Sequence, residues 1–569
     1  MEQRTQSIDR KRWSALGQVL RLSGPMFWSW RLGGLLGLLV VIAMAGSGCL
    51  IWESFQREEF ISALAARDAG RFQRSLLTFI GILVASAWLQ SFSAFVRDTL
   101  GLRWRQRLTR QFLGTYLDQK RFYRLAVGPP AAAPDAVVDN PDQRLSEDIK
   151  SVSQTTLLVF IIGLESIVQL VGFVWVLWFI SKALTGFLVV YAGLGSAIAT
   201  LFFGKRLTRI NAEQLKREAN FRFGLINVRE NAESIAFYQG QAHESRTLQG
   251  QFSGVVANFN RFIRWQLGLD FFQNGYQYLT FIMPSLILAP SILAGQLEVG
   301  TIFQSQLAFD RIWLSLSLVV VQFEQLTALA ASVDRLGVFA QSLQAVRTQD
   351  DLAIQTVISP MLAVQNLTVY TPDSQRRLCQ DLSFEVPAGA SLLVTGPSGV
   401  GKSALLKTLA GLWTAGQGTL QAPQASLFLP QQPYLPLGSL RRQLLYPHGN
   451  EAMTDEALIE ALKQVQLLGL SQMLETVADW SQRLSLGEQQ RLSFARLLLQ
   501  RPAYAILDEA TSAVAVEQEQ GLYQCLVEAG ITVISVGHRP SLLPYHLQVL
   551  TLALDHSWTL QSTQDYRFV

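Results

Sequence analysis

Cysteine is scarce in this chain of 569 residues. Cys49, Cys379 and Cys525 lie far apart and no CxxC pair occurs, which excludes a disulfide framework and a cysteine zinc site and leaves reduced thiols as the default. Charge is scarce too. Charged residues make up 16% of the chain, against about 25% in soluble domains, while 49% are hydrophobic. Mean hydropathy is +0.22. Such a composition excludes disorder and points to a membrane. Basic and acidic residues nearly cancel, 47 against 43, so the net charge of +4 builds no field for a polyanion and nucleic acid is not an expected partner. With about 150 residues per domain as a guide, the length excludes a single compact domain and allows up to about four modules.

Long uncharged runs are present instead. Leu32 to Trp52 carries no charge, and about 20 such residues cross a hydrocarbon core of about 30 Å at a rise of about 1.5 Å each. A second run, Ser75 to Val96, is bounded by Arg74 and Arg97. Ser151 to Ser181 is interrupted only by Glu165, and Ala183 to Gly204 follows a polar break at Ser181 and Lys182, so these two read as a tight helical hairpin. Phe271 to Leu293, with Pro284 and Pro290, and Ile302 to Leu329, with Asp310, Arg311 and Glu324, complete six expected spans. Charges facing lipid cost several kcal/mol, so such marks suit a helix lining a wet cavity, or else helix ends and helix contacts. Asp310 and Arg311 fit the first reading better, and Glu165 the second.

The segments Arg103 to Arg124 and Lys205 to Arg264 are rich in Lys and Arg, which predicts that both are cytoplasmic, and an even number of spans puts both termini there. The first apolar run is too long for a signal h-region and no convincing cleavage site accompanies it, so no cleaved leader is expected. Val127 to Asp139 is a Pro/Ala-rich linker. In the following DNPDQRLSEDI, Pro141 predicts an extended Asn140 and a helix start with Asp142 in its first turn. Glu218 to Gly240 has the spacing of an amphipathic cytoplasmic helix.

The sequence divides into a membrane region over 1–340, a polar linker over 341–360, and a soluble domain over 361–569. In the last, an apolar strand (Leu392 to Val394) runs into GPSGVGKS and then a helical stretch from Ala404, a P-loop in its strand-loop-helix setting. Gly396, Pro397, Ser398, Gly399, Val400 and Gly401 form a loop whose backbone N–H groups turn toward phosphate oxygens, reinforced by the helix N-terminus at Lys402, Ser403 and Ala404. Lys402 reaches the β- and γ-phosphates of ATP, and Ser403 offers its hydroxyl to Mg²⁺. About a hundred residues on, YAILDEATSA ends a strand at Asp508, suited to hold Mg²⁺ through water, followed by Glu509, suited to polarise the water that attacks the γ-phosphate.

LSLGEQQRLSFARLLLQRP (Leu484 to Pro502) resembles the signature helix of ABC transporters, and FLPQQPYLPLGSL and SVGHRP place Gln431 and His538 at that family's Q-loop and switch positions. The resemblance implies that Gln431 links Mg²⁺ and the attacking water to the membrane domain. It also implies that His538 contacts the γ-phosphate and Tyr370 stacks on adenine. DNPDQRLSEDI and RENAESIAFY are similar to subfamily D and to bacterial BacA-related ABC proteins, with Glu230 and Glu233 in an EAA-like motif tied to communication between the halves. The implied fold is a polytopic six-helix membrane domain of the exporter type fused to an α/β P-loop nucleotide-binding domain. Two copies would then share two ATP molecules, each held by one P-loop and by Ser485 and Gly487, with Glu488 beside them, of the other.

Two departures stand out. Leu486 replaces the first glycine of LSGGQ, and the D-loop, usually SALD, reads Ser512, Ala513, Val514, Ala515. The expected activity is ATP-driven transport by a half-transporter, with a hydrophilic solute such as cobalamin or a peptide as imported cargo. Alternatives are a carrier of fatty acyl-CoA or lipid, or an ATP-binding receptor or regulator that does not pump. The expected location is a bacterial plasma membrane.

Overall fold

The computed structural model describes residues 30–127, 140–316, 318, 322–345, 354–371, 376–423, 425–447, 449 and 453–567. The N-terminal charged segment, residues 128–139 of the linker, residues 346–353 and the side chain of Glu324 lie outside the described part. Two compact units emerge: Met1–Leu113 with Asn140–Phe339, and Gly114–Asp139 with Ala340–Val569.

The helices α1 (Trp30–Ala65), α2 (Ala69–Leu117), α3 (Ile149–Ile180), α4 (Lys182–Ile198), α5 (Lys205–Glu230), α6 (Ala232–Phe237), α7 (Gln241–Leu293), α8 (Gly300–Leu316) and α9 (Phe323–Ala345) follow one another, all in the first unit except the last residues of α2 and α9. By length and composition, four helices among the described residues can cross a membrane; they contain the expected spans 1, 2, 3 and 5. The fourth expected span falls on α4 and the helical turn Ala199–Gly204 that follows it, with the shorter apolar helix over Lys182–Gly195 inside it, and described parts of the sixth lie on α8 and on the start of α9. The hairpin between α3 and α4 turns at Ser181, which is extended (φ −159, ψ 117) and whose Oγ accepts the Leu184 N–H at 3.3 Å.

Two expectations need correction. Asn140 is left-handed (φ 50, ψ 68), not extended. Its short polar side chain tolerates that region, which also escapes the clash that bars αR before proline. Pro141 does open a helical turn carrying Asp142. The stretch Glu218 to Gly240 is not one helix, because Asn231 (φ −109, ψ 22) separates α5 from α6. Both Glu230 and Glu233 lie at this break.

An ion-pair cluster pins the start of α3 to α9. Asp148, 2% exposed, accepts Arg335 Nε–H at 3.0 Å and Nη2–H at 2.5 Å, and Arg144 Nη1–H at 3.1 Å. Where α8 begins, a Cβ on Gly300 would lie 2.1 Å from the Glu58 carbonyl oxygen, so only glycine permits that crossing with α1.

Among the described residues the second unit contains two larger sheets and a two-stranded ribbon that pairs Gly438–Ser439 with Val477–Ala478. β1 (Gln355–Ile358), β2 (Leu362–Tyr370), β3 (Arg377–Val386) and β5 (Gly416–Ala422) form one, ordered β1-β5-β2-β3. The other comprises β4 (Leu392–Thr395), β6 (Ser426–Leu429), β7 (Tyr504–Asp508), β8 (Thr532–Val536), β9 (Gln548–Leu552) and β10 (Trp558–Ser562), ordered β10-β9-β4-β8-β7-β6. Strands β4, β7 and β8 are buried along their whole length, the mark of a parallel sheet covered on both faces. α10 (Lys402–Leu409), α11 (Leu486–Gln500) and α12 (Val516–Glu528) are its principal helices. The segment following α2 also belongs to this unit, where Lys120 Nζ–H donates to the Ala410 carbonyl at 3.4 Å.

Candidate nucleotide-binding site

Parallel register decides where the motif residues meet. β8 aligns Val536 with Val394 of β4 and with Asp508 of β7, and β6 aligns Leu429 with Leu507. All four strands therefore end at the same edge. Directly after those ends come Gly396, Glu509, His538 and Gln431, at the C-terminal edge where open α/β sheets bind ligands.

The P-loop leaves β4 through Gly396 (φ 135), where a Cβ would lie 2.3 Å from the Leu552 carbonyl oxygen. It enters α10 at Gly401 (φ 108), where one would lie 3.1 Å from Leu378 Cβ. Both positions combine left-handed backbone with close packing, which glycine alone accepts. Val400 is buried and anchors the loop in the apolar core, while Pro397, Ser398 and Gly399 are exposed and Ala404 is half-buried on α10. Lys402 is buried, and its Nζ donates to the Gly396 and Pro397 carbonyls at 2.8 and 2.9 Å. Burial pushes its pKa down, opposed by the charges of Glu509 and Asp508. An ammonium held by neutral carbonyls keeps its full charge for an anionic ligand.

Ser403 Oγ–H donates to Asp508 Oδ1 at 3.0 Å, although the two are 105 residues apart. Burial raises the Asp508 pKa, the Ser403 hydrogen bond lowers it, and the Glu509 charge raises it further. Glu509 has φ 47, a costly conformation for a non-glycine residue, which turns its side chain out of the strand line. Its Oε2 accepts Gln431 Nε2–H at 3.1 Å and its Oε1 lies 3.5 Å from His538 Nε2. Thus Gln431, Glu509 and His538 converge, beside Lys402, Ser403 and Asp508. A hydroxyl, a carboxylate and an amide oxygen form the hard-oxygen donor set that suits Mg²⁺. Among the described residues no group of three or more His, Cys, Asp or Glu side chains is placed to hold a metal.

The remaining motif residues lie apart. Tyr370 ends β2 in the other sheet, half-buried, with its carbonyl accepting Trp413 Nε1–H at 2.8 Å. No hydrogen bond or ring contact among the described residues joins it to the P-loop. Ser485 caps α11 in a capping box with Glu488: Ser485 N–H donates to Glu488 Oε2 at 2.9 Å. That backbone N–H, then the Ser485 hydroxyl, holds the Glu488 carboxyl below its usual range. A Cβ on Gly487 would lie 2.7 Å from the Ala513 carbonyl oxygen, and Leu486 is exposed. The signature end of α11 thus abuts the Ser512–Ala515 loop rather than this chain's own P-loop cluster.

Sequence reasoning missed Gln490, Glu519 and Arg539. Gln490 Nε2–H donates to the Gln431 carbonyl at 3.0 Å, and Arg539 Nη1–H to that of Val514 at 2.9 Å. The only signals in the sequence were that Gln490 lies within the signature-like stretch Leu484 to Pro502 and that Arg539 follows His538.

Family profiles agree with this architecture. The ABC transporter transmembrane region 2 profile matches residues 22–293, and the ABC transporter profile matches residues 379–512. An uncharacterized ABC transporter ATP-binding protein of Synechocystis sp. is 41% identical over 564 residues, covering 95% of this chain and 85% of that protein. The chloroplastic ABC transporter D family member 2 of Arabidopsis thaliana is 34% identical, covering 91% and 83%. The lysosomal cobalamin transporter ABCD4 of Mus musculus is 30% identical, covering 88% of each. With a transmembrane region and a single ABC nucleotide-binding domain in one polypeptide, the chain belongs to the ABC transporters, as an ATP-driven half-transporter related to subfamily D.

Proposed function

We propose that two copies of this chain form a homodimer that imports a hydrophilic solute, with Glu509 activating the water that cleaves ATP. The convergence of Gln431 and His538 on Glu509, beside Lys402, carries this reading. Lys402 binds the β- and γ-phosphates, and the backbone N–H groups of Gly396 to Ala404 cradle them. Glu509 accepts a proton from the water or polarises it, Gln431 orients that water, and His538 binds the γ-phosphate. Ser403, Gln431 and, through water, Asp508 would hold Mg²⁺, which neutralises phosphate charge when bound. Tyr370 stacks on adenine. Ser485, Gly487 and Glu488, standing away from their own chain's cluster, serve the ATP held by the partner copy.

Switching a membrane conformation from 1:99 to 99:1 requires a difference in binding of about 5.5 kcal/mol between the two states. Phosphate bridging two copies supplies such a difference, and hydrolysis removes it. In the membrane region, α4 and the α8–α9 pair provide the two spans beyond the four long helices. Both termini face the cytoplasm of a bacterial inner membrane. An E. coli relative, 29% identical, is named an inner membrane ABC transporter ATP-binding protein.

The hydrophilic cargo is argued from α7 and α8. Gln277 Nε2–H lies 3.5 Å from Asp310 Oδ1, and Arg311 Nε is buried with no hydrogen-bond partner among the described residues. Such groups inside a membrane region mark a solute path. Cobalamin is the first solute to try, given the relative named as a cobalamin transporter. In proteoliposomes, labelled cobalamin should enter from the face opposite the nucleotide domains on ATP addition, and Glu509→Gln should abolish entry. Hydrolysis without movement of cobalamin would reject that cargo and favour peptides or acyl-CoA. Tight ATP binding without hydrolysis would reject the pump.

A further inference from the structure

The D-loop departure has a local consequence. Ala515 is the N-cap residue of α12, and no side chain caps that helix there. Aspartate at this position would offer an oxygen to the first-turn N–H groups, which a methyl group does not. The loop before the helix is nevertheless anchored by side chains from two other segments. Gln490, buried on α11, accepts Ala513 N–H at 3.0 Å and donates to Ser512 Oγ at 3.1 Å. Arg539 spans the loop, with Nη1–H to the Val514 carbonyl at 2.9 Å and Nη2–H to the Ser512 carbonyl at 3.3 Å.

Arg539 is itself held in place. Glu519, 1% exposed on α12, lies with Oε1 3.6 Å from Arg539 Nη1. Its carboxylate also accepts Thr511 Oγ1–H at 2.5 Å and Ser541 Oγ–H at 2.9 Å. One buried carboxylate therefore joins the entry to the loop, the helix behind it and the segment following His538. The planar guanidinium can address Glu519 and two carbonyls together, which a lysine ammonium on its flexible stem cannot do with the same geometry.

We propose that Arg539, with Gln490, is a positioning residue for ATP hydrolysis, fixing the Ser512–Ala515 loop in place of the missing aspartate cap. The same two residues also set the groups around Glu509. Arg539 is bonded in sequence to His538, and Gln490 grips the backbone of Gln431, whose side chain donates to Glu509. Loop placement and the geometry of the hydrolytic cluster are thereby linked. This inference rests on the reading of Glu509 as the hydrolytic base.

The test uses the full-length protein in lipid nanodiscs, comparing wild type, Arg539→Lys, Ala515→Asp and the double variant, with Glu509→Gln as control. Lysine keeps a positive charge near Glu519, so Arg539→Lys should fold, unfold thermally near the wild-type temperature, and bind ATP within about twofold of wild type. Its kcat should fall at least fivefold and its dependence on ATP should become less cooperative. Ala515→Asp should recover at least half of that loss in the double variant while changing the wild-type rate less than twofold. If Arg539→Lys is too unstable to assay, Gln490→Glu, which keeps the acceptor for Ala513 but loses both donors, should show the same split between kcat and ATP binding. Wild-type kcat and cooperativity in the substituted protein, or a loss of ATP binding equal to the loss of kcat, would overturn the proposal. An inactive wild type, or an active Glu509→Gln, would instead reject the underlying assignment of Glu509.

Discussion

Ser403 Oγ and Asp508 Oδ1, brought together from the first turn of α10 and the end of β7, form a hydrogen bond of 3.0 Å across adjoining secondary structures. Both groups are oxygen donors, and the bond orients them before any cation arrives. Asp508→Asn and Ser403→Ala should each weaken Mg²⁺ affinity by about 10- to 100-fold, as for residues that hold or orient metal-bound water. The half-saturating Mg²⁺ concentration for ATP hydrolysis measures this. Because burial raises the Asp508 pKa, protons should compete with Mg²⁺ up to a higher pH than at an exposed aspartate. The same titration repeated across acidic pH should show Mg²⁺ affinity falling as pH falls.

Glu509→Gln retains the shape and the hydrogen-bonding span of the side chain but not a base. Hydrolysis should fall by about 100-fold or more, within the range usual for loss of a general base. ATP binding should persist, since Lys402 and the P-loop are untouched. Radiolabelled phosphate release and nucleotide binding, measured on one preparation, separate the two effects; retained hydrolysis would remove Glu509 from its proposed role.

How much of this was legible beforehand depended on the distance over which the information acts. Gly396 to Ser403 is contiguous, and its glycines and lysine report local backbone needs, so strand, loop and helix could be read directly. Asp508 and Glu509 were found because a strand end fixes their placement. Gln490 gave no such signal: its partners, Gln431, Ser512 and Ala513, come from other segments and meet it only after the sheet has formed. Asn140 adopts a minority backbone region that the proline rule alone did not anticipate, and Asn231 interrupts an apolar periodicity that continues on both sides of it.

His546 makes folding sensitive to acid. It is buried, and its Nδ1 faces the Leu542 carbonyl at 2.8 Å, so Nδ1 carries the proton and Nε2 accepts Ser535 Oγ–H at 2.6 Å. Burial pushes its pKa down to about 4 from 6.5. Between those values the unfolded chain binds a proton that the folded one excludes. Stability from this residue is therefore present above the unfolded pKa and lost as pH falls toward about 4, up to about 3 kcal/mol in total. Thermal unfolding of the soluble unit's signal from pH 7 to 4 should show this slope, and His546→Asn should flatten it. An unchanged slope in that variant would assign the acid sensitivity elsewhere.

Asp148 and Arg335 should respond unequally to removal of their partners. Asp148 is 2% exposed, whereas the Arg335 side chain is 41% exposed and stays hydrated when left alone. Arg335→Met strands a buried carboxylate with Arg144 as its remaining ion-pair partner, and should cost about 3 kcal/mol, the low end for breaking a buried pair. Asp148→Asn removes the buried charge itself while an amide oxygen still accepts from Arg335, so its cost should be about 1 kcal/mol, that of a typical hydrogen bond. Thermal unfolding of detergent-solubilised protein gives the order directly. If Asp148→Asn proved the more damaging, the stabilisation would reside in the arginine's need for a counter-ion rather than in the carboxylate's, and the account of what holds the start of α3 against α9 would have to be reversed.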